Sequence, residues 1–235
     1  MKKVIIDSRA PKKVKASLLS LGFELIEMPP HPALPAPVSA HPDMLLFILS
    51  NTVFCHADHY ELAKKEFDEI SSEGYEIVKT NEFIGSEYPR DILFNALTLG
   101  EHIYGKLESV SSLIKSEAEK RNISLHSVKQ GYAKCSVCKV GERAAITSDP
   151  SLYKAMTNDG YDVLLIGAGH IDITEYDTGF IGGCSGFDNE RVYFSGNIDL
   201  HPDGKAIKLF CEKHGMSVVS LSDEPLFDIG SMFFI

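Results

Sequence analysis

The sequence predicts an α/β fold in which five similar ββαβ units form a pseudo-fivefold propeller. The main observation is a repeated boundary, where an amphipathic, helix-like stretch ends at Gly or Asn and a short apolar run follows at once. These boundaries lie 38 to 55 residues apart, a period typical of repeat architectures. They fall at Gly22, Gly74, Asn122, Gly160 and Gly215.

Two further apolar runs precede the helix-like stretch of a complete unit. In the second unit, PDMLLFILSN and TVFCHAD come before HYELAKKEFDEISSEG, and YEIVKTN follows it. The later units begin with DILFNALTLG, CSVCKVGE and GGCSGFDN. The order in each unit is therefore strand, strand, helix, strand. The proline-rich stretch PPHPALPAPVSAHP, before the second unit, predicts an extended crossover.

The two ends of the chain complement each other. The chain opens with KKVIIDSR, a helix-like stretch and FELIEM, so this unit lacks its first strand, whereas GSMFFI at the other end is a strand without a unit. We predict that GSMFFI pairs with KKVIID. This pairing would close the ring, remove two exposed sheet edges and make residues 1–235 a single domain.

Composition excludes several classes of function. A net charge of -10 argues against nucleic acid as a partner, because binding to phosphates requires a basic surface. No apolar run reaches the length of a membrane span, and the apolar part of MKKVIIDSRA is too short for a signal peptide. Five cysteines are an odd number, which favours reduced thiols and a cytoplasmic location. The oligomeric state is left open.

Alignment of the units places five polar residues at the starts of the innermost strands. In a ring, these positions would converge near the central axis. Two carboxylates and two thiols around one opening favour a cationic ligand rich in hydrogen-bond donors, because such donors pair well with carboxylates. The five positions are Asp43, Asp91, Cys135, Cys184 and Ser231.

The stretches YPRDILFNA, GHIDITEYDTGFIGGCSG, VYFSGNIDLHPDGK and SDEPLFDIGSMFFI resemble the guanidine-modifying enzyme superfamily, which has the pentein fold. Its active members include arginine and agmatine deiminases, dimethylarginine hydrolases and amidinotransferases. The resemblance implies a hydrolase or transferase that acts on guanidino or amidino C–N bonds of a small arginine-like ligand. It implies neither a cofactor nor a metal ion.

The same resemblance implies roles for individual residues. Arg90 and Asp91 are similar to the family's R-D pair, in which the aspartate clamps the guanidinium group. His170 and Asp172 resemble its H-x-D element, with His170 as the acid/base. Asp228 and Ser231, in SDEPLFDIGSMFFI, are assigned with Asp43 and Cys135 to substrate binding.

The expected nucleophile is missing. The family's cysteine would fall near Ser231 or Met232, yet no cysteine follows Cys211, which lies on the apolar face of a helix-like stretch. Cys184 is the best replacement, since backbone amides of its flanking glycines would favour a thiolate; Cys135 is the second choice. A purely structural role for Cys184, as a small buried residue, is left open. The alternative function is also left open: a catalytically inactive ligand- or protein-binding module, for which a ribosome anti-association factor is a precedent on this fold.

Two other groups also have more than one interpretation. Cys135 and Cys138 spell C-S-V-C, which suggests zinc binding or redox chemistry, but a second pair of metal ligands is absent from the sequence and a structural role is favoured. His56, Asp58 and His59 in CHADHYE suggest a metal site. The favoured interpretation is that Asp58 caps a helix and that both histidines lie on the surface.

Overall fold

The computed structural model describes residues 2–235. The chain begins with strand β1 (Lys3–Asp7), helix α1 (Lys12–Ser20) and strand β2 (Glu24–Met28). The two strands are parallel, as expected when a helix connects neighbouring strands. This segment has the predicted order of a unit without its first strand.

Each of the next four units contains two antiparallel strands, one or two helices, and a third strand parallel to the second. The second unit comprises α2 (Pro42–Leu45), β3 (Leu46–Leu49), β4 (Thr52–His56), α3 (Ala57–Leu62), α4 (Lys64–Ser72) and β5 (Glu76–Thr80). The third comprises β6 (Leu97–Leu99), β7 (His102–Gly105), α5 (Ser112–Lys120) and β8 (Ser124–Ser127). The fourth comprises β9 (Val137–Lys139), β10 (Ala144–Thr147), α6 (Pro150–Asn158) and β11 (Asp162–Leu165). The fifth comprises β12 (Ser185–Phe187), β13 (Arg191–Phe194), α7 (Gly204–Lys213) and β14 (Ser217–Ser220).

The repeated boundaries of the sequence are helix ends in the structure. All five boundary residues have a positive φ, between 55° and 92°. This left-handed conformation costs glycine nothing and asparagine little, and it turns the chain from each helix into the following strand. The predicted positions of the five helix-to-strand junctions are therefore confirmed.

The last strand, β15 (Met232–Phe234), joins the two ends of the chain. It is antiparallel to β1, with Val4 opposite Phe234, and parallel to β12, with Gly186 opposite Met232. The predicted pairing of GSMFFI with KKVIID is thus confirmed. The pairing merges the first and fifth units into one six-stranded sheet, in the order β14-β13-β12-β15-β1-β2. Closure of all five units into a ring, and hence a single domain over residues 1–235, stays a prediction.

The proline-rich crossover is more structured than the sequence suggests. It contains a 3-10 helix at Ala36–Val38, and Leu34 and Ala40 are buried. Leu34 and Val38 belong to a large hydrophobic core that also includes Ile5 of the first unit and residues of the second and third. The crossover therefore packs against this core and brings its polar residues to the site described below.

The CHADHYE segment differs from its favoured interpretation. Its helix cap is His56, whose Nδ1 accepts a hydrogen bond from the amide of Asp58, and both histidines are buried.

Among the helices of residues 2–235, none has both the length and the apolar character needed to cross a bilayer.

Candidate functional site

Hydrogen bonds connect the segments of three of the five polar residues that precede the innermost strands. Ser231 donates a hydrogen bond from its Oγ to Oδ2 of Asp43, over 2.6 Å, and accepts one from Nζ of Lys134, over 2.8 Å. The amide of Gly183 donates to the carbonyl of Cys135, over 2.9 Å. These bonds connect the starts of the second, fourth and fifth units with the start of β15, so Asp43, Cys135 and Ser231 lie in one network of contacts.

Asp43 and Ser231 occupy the buried centre of this network. Both are fully buried, and Oδ1 of Asp43 has no hydrogen-bond partner. Ser231 has a φ of 68°, a left-handed conformation that serine adopts only where its surroundings hold it. The second oxygen of Asp43 is thus a buried acceptor without a hydrogen-bond partner.

Asn95 is a central residue that sequence reasoning missed. Its Nδ2 donates to the carbonyl of Asp43 (3.1 Å) and to Sγ of Cys135 (2.9 Å), and its Oδ1 accepts from the amide of Lys134 (2.9 Å). Asn95 is fully buried. A polar residue inside the apolar run DILFNAL was the available signal, because a buried amide must have partners.

A cavity of about 190 Å³ opens beside this network. It combines a thiol, an imidazole and a carboxylate with aromatic walls. Its lining residues include Cys135, His41, Asp228, Tyr132, Tyr176 and Phe180. A second cavity, of about 320 Å³, shares His41 and Asp228 with the first and extends to Asp7, Arg9 and Glu175. We call these the inner and outer cavities.

Asp228 lies on the boundary of both cavities. Its Oδ1 accepts from the amide of Gly230 (3.0 Å), its Oδ2 from the amide of Phe180 (2.9 Å), and Nδ1 of His41 lies 3.8 Å from Oδ1. Burial raises the pKa of Asp228, and nearby Asp43 adds to the rise, while His41 and the two amides oppose it. The predicted role of Asp228 in substrate binding is thus consistent with its position.

Two glycines allow the chain to come this close. A Cβ at Gly183 would lie 2.1 Å from Oδ1 of Asp228, and one at Gly230 would lie 2.1 Å from Cβ of His41. Gly230 also has a φ of 71°. Gly183, directly before Cys184, therefore makes room for Asp228, a different reason from the thiol activation that the sequence suggested.

Asp91 and Arg90 point in opposite directions. Asp91 is buried and accepts a 2.7 Å hydrogen bond from the hydroxyl of Tyr132, which lines the inner cavity, and its Oδ1 has no partner. Burial raises the pKa of Asp91, and the bond from Tyr132 opposes the rise. Arg90 is exposed and lies over the ring of Phe83 at 5.3 Å. The placement of Arg90 in the substrate site is therefore corrected.

The two candidate nucleophiles have different surroundings. Cys135 lines the inner cavity, whereas Cys184 is fully buried in a hydrophobic cluster with Cys138 and Cys211, and its thiol donates to the carbonyl of Ile181 (3.3 Å). Burial raises the pKa of both Cys135 and Cys184 well above the usual value. For Cys135, the carboxylates of Asp43 and Asp228 raise the pKa further. The expectation that Cys184 is a thiolate of low pKa is therefore wrong.

His170 and Asp172 lie on the surface. His170 is exposed, with a φ of 61°, and its ring centre is 5.8 Å from that of His201. The side chain of Asp172 is exposed, and its backbone pairs with Leu226 and Asp228. The predicted set of Cys184, His170 and Asp172 is therefore not brought together. The imidazole that faces the cavity is His41, from the proline-rich crossover.

Comparison with known structures identifies the fold. DDAH from Pseudomonas aeruginosa, as a mutant complexed with citrulline, is 13% identical, with a TM-score of 0.54 over 94% of this chain and 92% of that one. The inosamine-phosphate amidinotransferase of Streptomyces griseus is 11% identical, with a TM-score of 0.52 over 94% and 88%. An agmatine deiminase of C. jejuni is 8% identical, with a TM-score of 0.55 over 94% and 87%. At these identities the likeness shows the fold, and the predicted resemblance to the pentein fold is confirmed.

Sequence comparison defines the family. A search of curated proteins finds no significant match. The profile of a family of unknown function, DUF6873, matches residues 5–233, which is nearly the whole chain. The chain therefore belongs to the DUF6873 family and has the fold of the guanidine-modifying enzymes.

Proposed function

We propose that the inner cavity binds the guanidino or amidino group of a small arginine-like molecule, and that Cys135 attacks its central carbon in a hydrolase or transferase reaction. The observation that carries the proposal is the meeting of Cys135, His41 and Asp228 in one cavity with aromatic walls. Enzymes with this fold act on such groups, as the names of the dimethylarginine, agmatine and amidino-transferring relatives state.

The cavity suits a planar cation. The rings of Tyr132, Tyr176 and Phe180 offer faces on which a guanidinium group can stack. Asp228 provides a carboxylate at the wall, and Asp91, whose Oδ1 has no hydrogen-bond partner, accepts a hydrogen bond from Tyr132 of the same wall. A fork-shaped donor would satisfy such acceptors, which are costly when buried alone.

The outer cavity suits the rest of the ligand. It is lined by Arg9, whose guanidinium is paired with Asp7 (Nη2 to Oδ2, 2.8 Å) and whose side chain is 38% exposed. Because the guanidinium donors of Arg9 already bond to Asp7, Ser39 and the carbonyls of Ala36 and Pro37, the end of the ligand that lies there would be an amino group facing Glu175, while the guanidino group enters the inner cavity. The two cavities adjoin at His41 and Asp228, so one elongated molecule spans both.

The ligand itself would activate the nucleophile. In the free protein, burial and two carboxylates keep Cys135 as a neutral thiol. A cation bound between Cys135, Asp43 and Asp228 offsets those negative charges and favours the thiolate. Binding and activation are then coupled, and the thiol reacts only slowly in the empty site.

The reaction would proceed in two steps through a covalent intermediate on Cys135. In the first step the Cys135 proton passes to His41, and Sγ forms a bond to the central carbon. One nitrogen leaves as an amine or ammonia with the proton from His41, so that the amidino group remains on Sγ. Attack by water gives a urea-type product, whereas attack by an amine gives a new amidino compound. Either step returns the thiol.

Ligand binding without cleavage is the second candidate function. The raised pKa of Cys135, and the hydrogen bond that Sγ accepts from Asn95, favour a thiol that only contributes to the wall of the cavity. The same carboxylates and rings would then bind a cation for another purpose, as in the inactive ligand- or protein-binding module that the sequence left open.

The experiment incubates the protein with arginine, agmatine and dimethylarginine, and measures release of ammonia or amine together with the melting temperature. We expect turnover that Cys135→Ser abolishes and the matched control Cys184→Ser retains. A rise in melting temperature without turnover, lost in Asp228→Asn, would assign the second function. The absence of both turnover and a thermal shift for all three compounds would overturn both candidates.

A further inference from the structure

A separate cluster of metal-ligating side chains lies between the third and fourth units. His102 is the first residue of β7, His126 belongs to β8, and Asp159 follows α6. Each offers one ligand atom, and the three atoms all lie within 4.8 Å of one another. None of the three lines the inner or outer cavity, so the cluster is distinct from the proposed guanidino site.

The sheet places the two histidines on the same face. Strands β7 and β8 are parallel, with Tyr104 opposite His126. Side chains two residues apart along a strand share a face, so His102, Tyr104 and His126 project together. The ring centres of His102 and His126 are 4.9 Å apart. Asp159 reaches the same face from the end of α6.

Hydrogen bonds fix which nitrogen of His102 is free. The hydroxyl of Tyr161 donates its only proton to the carbonyl of Leu99, over 2.7 Å. Its oxygen lies 2.6 Å from Nδ1 of His102 and must accept there, so Nδ1 carries the proton. Nε2 of neutral His102 is therefore left with a lone pair. A bond from the second ring nitrogen to a fixed acceptor is the usual support of a metal-binding histidine.

Asp159 is also oriented by a neighbour. Its Oδ2 accepts a 2.6 Å hydrogen bond from the hydroxyl of Tyr104, and Nδ1 of His126 lies 3.1 Å from the same oxygen. Two ligand atoms on a tetrahedral zinc ion lie about 3.3 Å apart, given bonds of about 2.0–2.1 Å. The side chains of His126 and Asp159 are 30% and 19% exposed, which leaves a path for an ion.

Two buried histidines elsewhere, His31 of the crossover and His56 of the second unit, provide a contrast. Nδ1 of His31 accepts from the amide of Ala33, and Nδ1 of His56 accepts from the amide of Asp58. In the neutral rings, Nε2 must then carry the proton and has no lone pair for a metal. Proximity of histidines is thus insufficient, and the hydrogen bonds around His102 distinguish the two clusters.

We propose that His102, His126 and Asp159 form a binding site for a divalent transition-metal ion, with zinc as the expected occupant. Two imidazoles and one carboxylate are ligands that suit zinc, and three protein ligands leave one coordination position for water. The ion would join the β7–β8 edge of the third unit to the α6–β11 junction of the fourth. It would act as a clip that stabilises the folded chain in proportion to its occupancy.

The test titrates the full chain, stripped with a chelator, with Zn²⁺ by calorimetry and with Co²⁺ by visible absorption. We expect one equivalent per chain, a higher melting temperature with Zn²⁺, and absorption typical of tetrahedral Co²⁺. His126→Gln should abolish these signals. Tyr161→Phe, which retains all three ligands, should weaken affinity roughly 10–100-fold because His102 loses its fixed acceptor.

Matched controls separate this site from others. His170→Gln changes an exposed histidine elsewhere, and Cys135→Ser removes the thiol of the inner cavity; both variants should bind one equivalent with unchanged affinity. Circular dichroism without metal verifies that each variant is folded. Less than half an equivalent bound to the intact chain, or equal affinity in His126→Gln and His170→Gln, would overturn the site whatever the outcome of the guanidino assays.

Discussion

Ser231 and Asp43 are 188 positions apart in the chain, yet the serine Oγ lies 2.6 Å from the aspartate Oδ2. A backbone hydrogen bond connects the same two segments, since the amide of Asp43 donates to the carbonyl of Gly230 over 3.1 Å. The start of the last strand is thus attached to the start of the second unit. Loss of this attachment should affect the whole fold.

Ser231→Ala tests the side-chain part of this connection. The substitution leaves Oδ2 of Asp43 and Nζ of Lys134 without the partner they share, so the free energy of unfolding should fall by about 1–3 kcal/mol. Urea denaturation measures the change. Ser20→Ala, at an exposed serine with only a local bond to Ser17, should stay within about 0.5 kcal/mol of the original protein. Equal effects of the two substitutions would contradict this role of Ser231.

Removal of residues 231–235 tests the closing strand. Strand β15 supplies the partner of both β1 and β12, and the deletion exposes two sheet edges and the core around Met232. We expect no cooperative thermal transition. The milder Met232→Ala should lower the free energy of unfolding by about 2–5 kcal/mol, because this side chain is buried. Phe83→Ala, at a ring that is 70% exposed, is the control. A shortened chain that melts like the intact one would refute the closing role.

The repeat and the pairing of the ends were predictable because both depend on local signals. A glycine after a helix and an alternating apolar run can be recognised in a short window, as at Gly160. The missing strand at one end and the extra one at the other then determine the pairing of β1 with β15. Nothing beyond the order of the elements was needed.

The site was predictable only in part, because it depends on the direction in which each side chain points. Arg90 and Asp91 are neighbours in sequence, but one is exposed and the other is buried. Cys135 and Cys184 both precede a strand, yet Cys135 lines the inner cavity whereas Cys184 packs in a hydrophobic cluster. His41 comes from an irregular crossover that has no periodic pattern to indicate which of its residues faces inward.

Acid should destabilise the protein through its buried histidines. Burial, with His31 and His56 nearby, lowers the pKa of His59 to about 3. The folded protein therefore keeps His59 neutral, whereas the unfolded chain binds a proton near pH 6.5. This contribution to stability is complete above about pH 6.5 and is lost as the pH falls towards 3. At pH 5.5 the loss is on the order of 1 kcal/mol.

The variant His59→Gln checks this effect, since glutamine does not titrate. Urea denaturation at pH 7.5 and pH 5.5 should show a fall in unfolding free energy that is smaller in the variant, by on the order of 1 kcal/mol. His170→Gln changes an exposed histidine and should leave the fall as it is in the original protein. An unchanged pH dependence in His59→Gln would assign the acid sensitivity to other groups.

Thiol labelling distinguishes the cavity thiol from the others. All five cysteines are free and buried, and burial raises the pKa of each one, so labelling of the native protein by iodoacetamide at neutral pH should be slow. Cys135 should nevertheless react first, because its thiol borders a cavity, whereas Cys184 packs inside a core. Peptide mapping by mass spectrometry at early times measures the order of labelling.

Ligand and variant controls complete this prediction. A guanidino compound that fills the inner cavity should block access to Cys135, even though its charge favours the thiolate, because the alkylating reagent needs the same space. Cys135→Ser should remove the early modification, and Cys184→Ser should leave it in place. If Cys184 were alkylated first, the nucleophile favoured from the sequence would be restored and Cys135 would lose its proposed role. If all five thiols reacted at one rate, labelling would follow global unfolding, and an accessible thiol in the native cavity would be excluded.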